Sequence, residues 1–168
     1  MSTVTPDRTP TNHRRRAALV AAALVALVLP SCGSDSGTLP DVYAALIQVT
    51  VDPNPIIGSQ NLLTGSVSAT YKVTIDELAG LGGEVQFVSS TVFDPATGAQ
   101  VALNYYDSAD LTVFVGSKRI EPKGTLVVPQ TVTYTLPDLA KQTNVTISVQ
   151  VKDDRENIST RSLLVPIQ

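Results

Sequence analysis

The sequence predicts an all-β fold, an antiparallel two-sheet sandwich of seven to eight strands. Three observations carry this expectation. Apolar and polar residues alternate with period two through most of the chain after residue 43. Turn-forming Gly, Pro, Asn and Asp interrupt that alternation about every ten residues. No stretch shows the spacing of a strong amphipathic helix. Strands that each hide one face are satisfied by packing two sheets against each other, and a closed barrel is the alternative.

The elements follow in chain order. Ala45, Ile47, Val49 and Val51 alternate with Leu46, Gln48 and Thr50, and Asp52-Pro53-Asn54-Pro55 stops that strand because proline cannot donate to a ladder. Val67, Ala69, Tyr71, Val73 and Ile75 form one face of the next strand. Glu77 to Leu81 is read as a helical turn before Gly82-Gly83. A third strand covers 84–93, with a bulge expected near Ser89-Ser90, where the alternation blurs. Asp94-Pro95-Ala96-Thr97-Gly98 is a turn. Short strands are expected at 100–105 and 111–115, and Glu121-Pro122-Lys123-Gly124 is another turn. Val132, Tyr134 and Leu136 mark a strand running up to Pro137. Val145, Ile147, Val149 and Val151 point inward, as do Leu163, Val165 and Ile167 of a return strand, in a closing hairpin joined by Asp153-Asp154-Arg155-Glu156-Asn157.

The start of the chain has another character. Arg14-Arg15-Arg16 lead into an apolar run from Ala17 to Leu29 that exits through Pro30, Ser31, Cys32 and Gly33. A basic head, a short apolar middle and a small-residue exit form the pattern of a secretory signal. The run is about half the ~20 residues that a membrane-crossing helix needs. Domain boundaries follow: residues 1–31 as a removed signal, 32–42 as a small, polar tether, and 43–168 as the sandwich. The tether, as a flexible coil of about eight residues, spans roughly 15 Å.

Composition narrows the function. Arg8, Arg14, Arg15 and Arg16 of the 12 Lys and Arg, and Asp7 of the 15 Asp and Glu, fall in the removed segment, leaving 8 basic against 14 acidic groups and a net charge near −6. Such a chain lacks the clustered cations that nucleic acid or anionic lipid would attract. The one His (His13) and the one Met (Met1) leave with the signal, there is no Trp, and the one Cys is Cys32. A Ser-His-Asp or Cys-His centre is therefore excluded, as are zinc and copper sites built on His and Cys. The expectation is that the protein is not an enzyme and carries no cofactor.

Leu29-Pro30-Ser31-Cys32-Gly33 resembles the lipobox of bacterial lipoproteins. The resemblance implies cleavage between Ser31 and Cys32, lipid on the Cys32 sulfur, and an anchor in the cell envelope, the outer membrane being favoured by Gly33 if the host has one. A lipidated Cys32 also accounts for the single cysteine of an exported chain. The ends of the sandwich, Val49-Thr50-Val51-Asp52-Pro53-Asn54-Pro55 and Val145 to Gln168, are similar to those of bacterial immunoglobulin-like domains. That family implies general roles in adhesion, spacing or assembly, without the Cys and Trp pattern of antibody domains.

Two loop clusters are candidate sites. Asp153, Asp154, Glu156 and Asn157 place hard oxygen donors in one hairpin, where calcium is the metal they suit, although Arg155 interrupts them and acidic turn residues are ordinarily just solvated. Tyr105, Tyr106, Asp107 and Asp110 form a candidate small-ligand or glycan loop. Tyr71 and Tyr134 lie on apolar faces and belong to the core. Lys118, Arg119 and Lys123 make a small basic patch expected to guard an edge strand. The functional expectation is a lipid-anchored envelope protein whose immunoglobulin-like domain is a non-catalytic protein-interaction or assembly module with an envelope protein partner. The alternatives are a structural spacer or surface domain without a dedicated partner, and a small-ligand or glycan binder.

Overall fold

In the computed structural model, residues 44–136 and 142–168 are described, and Ser31, Cys32 and the tether lie outside them. The first strand, β1 (Ile47–Asp52), ends at the proline break as expected. A short strand the alternation did not mark, β2 (Gly58–Asn61), follows. Both pair antiparallel with the same edge of β3 (Ser66–Glu77), β1 along its second half and β2 along its first. On β3, Ala69, Tyr71, Val73 and Ile75 are buried, the face their period predicts.

β3 runs on through Glu77, and no helical turn follows. The Glu77 carboxylate is buried and accepts from the amides of Ala79, Gly80 and Leu81 at 2.8, 2.7 and 3.2 Å, and from Lys123 at 2.9 Å. One side chain thus gathers the amides of residues 79–81 and of Lys123, in place of a helical turn. Burial alone would raise its pKa, but these backbone donors outweigh burial and hold it below the usual carboxylate value.

β4 (Gly83–Phe93) carries the expected bulge at another place. Val85 and Val88 are both inward, three residues apart, and the register against the neighbouring strand shifts between Val85 and Phe87, so Gln86 is the extra residue. Ser89 and Ser90 pair in register; the alternation blurs there because Ser90 is a polar residue pointing into the core.

The turn at Asp94 is as predicted, its carboxylate accepting from Ala96 N and Thr97 Oγ1. β5 (Gln100–Asp107) then leads not into a strand but into α1 (Ser108–Phe114), followed by the two-residue β6 (Arg119–Ile120). β7 (Thr125–Thr135) starts seven residues before Val132, the first residue the alternation marks, and passes straight through Pro129. It is the outer neighbour of β3, and on such an edge the missing proline N–H breaks no ladder. β8 (Thr143–Asp153) and β9 (Ile158–Ile167) form the expected closing hairpin, with Val145 opposite Val165 and Ile147 opposite Leu163.

One sheet is thus β1 and β2 on one side of β3 with β7 on the other, and the second runs β5-β4-β8-β9, with β6 continuing the β5 side of β4. Val88, Val92, Val145, Ile147, Val149, Val151 and Val165 of the second sheet meet Tyr71, Val73, Ile75, Val128 and Val132 of the first in a single core. Burying each such side chain contributes about 1.5–3 kcal/mol relative to exposure. Within that core, Tyr71 lies opposite Gln130 across the β3–β7 ladder, and Ser90 Oγ of the other sheet donates to Gln130 Oε1 at 3.3 Å. Burial pushes the Tyr71 phenol up to about 12, with Ser90 partly offsetting it.

Candidate interaction surface

Tyr105, Tyr106, Asp107 and Asp110 lie along the junction of β5 and α1. Successive residues of β5 point to opposite sides. Tyr105 stands on the outer face and stacks on Phe87 of β4, centroids 5.6 Å apart and planes 26° apart. Tyr106 packs against the core and stacks on Phe114 of α1 at 5.5 Å and 28°. Offset aromatic pairs of this kind add about 0.5–1.5 kcal/mol beyond their buried area.

The two aspartates form a helix cap. Asp107 Oδ1 accepts from Ala109 N at 2.8 Å and Asp110 N at 2.9 Å, while Asp110 Oδ2 accepts from Asp107 N at 3.3 Å. This reciprocal box satisfies donors that the first turn leaves unpaired, and it overrides the β-propensity of Thr112, Val113 and Val115. Leu111 anchors the helix in the core. Gly116, at φ +85°, ends it in the left-handed conformation that glycine adopts without steric cost. The strand expected at 111–115 is therefore a capped helix, for which Asp107, Asp110 and Gly116 were the legible signals. Its consequence is exposure: Val113 and Phe114 are 75% and 64% exposed. The alternation reading missed Val113 and Phe114 as surface residues.

The acidic hairpin between β8 and β9 is arranged differently. Asp153 is only 4% exposed and turns inward. Its oxygens accept from Ala45 N at 3.0 Å, Arg155 N at 2.9 Å, Asn157 N at 2.8 Å and Asn157 Nδ2 at 3.0 Å. Burial would raise its pKa, but the donors from Asn157, Ala45 and Arg155 more than compensate and lower it. Asp154 accepts from the two terminal guanidinium nitrogens of Arg119 at 2.9 Å, which lowers its pKa, and Glu156 binds Lys152 at 2.9 Å. These groups line a groove of about 230 Å³ with Glu84, itself 3.0 Å from Lys118. The basic patch is thus largely ion-paired, with Arg119 also 3.2 Å from Glu121. Exposed pairs of this kind contribute little to stability, because water screens them, and mainly fix geometry. Among the described residues, no three of His, Cys, Asp and Glu are grouped to hold a metal ion.

No family model matches the chain, and no curated protein matches it. Solved structures do. The chain is similar to the X-ray structure of the Northeast Structural Genomics Consortium target SoR45, with 11% identity, a TM-score of 0.52, and coverage of 71% of this chain and 84% of that one. It is similar in the same degree to the putative ApaA protein from Bordetella pertussis, with 10% identity, a TM-score of 0.52, and coverage of 72% and 93%. At such identities the likeness is one of fold.

Proposed function

We propose that this chain is a lipid-anchored envelope protein, held through Cys32, whose immunoglobulin-like sandwich is a non-catalytic protein-interaction or assembly module using the β5–α1 edge. The observation that supports this reading most is the capped helix. Its cap and its buried Leu111 hold Val113 and Phe114 out of the core, with Phe114 stacked on Tyr106. Apolar side chains held this exposed next to the polar cap of Asp107 and Asp110 are what a protein partner covers. Aromatic residues held rigid by stacking, as Tyr105 and Phe114 are, contribute most at such interfaces because little entropy is lost on docking.

The test is cross-linking in cells followed by pull-down and mass spectrometry, comparing the native chain, Cys32→Ala, and Val113→Ser with Phe114→Ser. One dominant partner, lost with Cys32→Ala and depleted about tenfold by the helix substitutions, is expected. A partner retained in full by the helix variant would overturn the choice of edge. A membrane-bound native chain with no partner would leave the spacer alternative.

A further inference from the structure

The turn between β2 and β3 exposes Leu62 at 86% and Leu63 at 97%, the most exposed large apolar side chains among the described residues. They are not on a loose loop. Asn61 Oδ1 accepts from Leu63 N at 3.0 Å and Thr64 N at 3.3 Å, and Gly65 N donates to Asn61 O at 2.8 Å. Gly65, at φ +69°, supplies the left-handed residue that closes the turn, and Thr64 Oγ1 meets Ser66 Oγ at 2.7 Å. The leucines are thus held in solvent by a turn whose backbone is already satisfied.

We propose that this turn is a second membrane contact, in which Leu62 and Leu63 enter the interfacial layer of the bilayer that Cys32 anchors. The inference rests on the lipid-anchor reading. Charge supports a lipid occupant: no Lys, Arg, Asp or Glu lies between Asp52 and Lys72, so no ion loses its hydration when the tip enters apolar surroundings. The shape of the tip supports it too. Two consecutive, almost wholly exposed leucines would need a protein pocket built around both, whereas a bilayer accepts any apolar outline.

Placement completes the argument. The described chain begins at residue 44, beside the Ile47–Glu77 end of β3, and the leucine turn is at the Ser66 end. The 12 residues of β3 separate these ends by roughly 36 Å, at about 3.3 Å per residue. With residue 44 and the leucine turn at opposite ends of β3, membrane entry of the tip has the sandwich lie along the membrane plane. Because the lipid keeps the tip near the bilayer, its insertion is an intramolecular step, and two leucines suffice where they would not hold a free protein.

The experiment uses the full lipoprotein reconstituted in phosphatidylcholine vesicles. With Cys32 acylated, Leu63→Cys is the one reactive thiol and takes an environment-sensitive fluorophore; Glu121→Cys, in a turn at the opposite end, is the reference. Expected is strong quenching of the position-63 label by lipids brominated on their acyl chains and protection from aqueous iodide. Adding Leu62→Asp should lower the inserted fraction about tenfold. A position-63 label as open to iodide as the reference, on a chain whose mass shows acylated Cys32, overturns the proposal and leaves the anchor standing. Protection that appears only with membrane proteins present, without quenching by brominated lipid, overturns it in favour of a protein pocket. A native chain lacking acyl groups overturns the anchor reading and this proposal with it.

Discussion

Replacing Asp153 by alanine should destabilise the domain through the hairpin it holds, and by an amount the structure bounds. The carboxylate is buried and accepts from four donors, three of them backbone amides, one of which, Ala45 N, reaches it from 108 residues away. A hydrogen bond to a charged group is worth about 1.5–3 kcal/mol net, and donors left buried without an acceptor cost about 1–3 kcal/mol each. The Arg155 and Asn157 amides lie in an exposed turn that water can reach, so the sum is well below four full losses. We expect about 2–4 kcal/mol for Asp153→Ala, and about half that for Asp153→Asn, which keeps one acceptor oxygen. For a domain of this size that is a fall in Tm of roughly 8–15 °C, read by circular dichroism at neutral pH.

The pH dependence has a definite sign. Because the folded pKa of Asp153 is depressed, its contribution is present above the ordinary value near 3.8 and is lost as the pH falls through the lower folded value. The difference between native protein and Asp153→Asn should therefore shrink on acidification below about pH 4. A calcium-dependent rise in the native Tm that Asp153→Ala abolishes would refute this reasoning and assign the residue to a metal. So would an Asp153→Ala variant as stable as the native chain.

Asp107→Ala removes the α1 cap and should cost about 1 kcal/mol. Amide exchange at Ala109 and Asp110 should speed up more than in β3, and unchanged exchange there would mean that the cap does not hold the helix. Gly83→Ala places a Cβ 2.7 Å from Lys152 O and 2.9 Å from Asp153 Cα, both backbone atoms that cannot rotate away. Overpacking of this kind costs about 1–3 kcal/mol. Denaturant unfolding should show it as a lower midpoint at unchanged slope, with β6 loosened because Gly83 also pairs with Ile120.

The residues that announced themselves are those whose neighbours in space are dictated by period alone. On β3, β8 and β9 the strict alternation chooses the buried face, and a one-residue slip would turn Val73, Ile147 or Val165 into water. Pro53 and Pro55 mark the end of β1, and Gly98 after Asp94-Pro95 marks a chain reversal, for steric reasons that need no tertiary context. The two-sheet class was therefore legible. At the candidate surface, the four residues Tyr105, Tyr106, Asp107 and Asp110 were legible as a group, but not what they form.

What remained hidden depended on partners far along the chain. Glu77 leaves the helical pattern because Lys123 N, 46 residues away, shares its carboxylate. Asp153 turns inward because Ala45 N waits there, whereas Asp154 turns outward to Arg119. Pro129 sits within a strand because β7 is the outer neighbour of β3, a fact of sheet order that proline itself cannot report. The alternation of apolar residues determined that this chain is a β-sandwich. Which carboxylates are buried, and which apolar residues are left outside, was decided by the tertiary structure, since desolvation and hydrogen bonding act on neighbours in space and not in sequence.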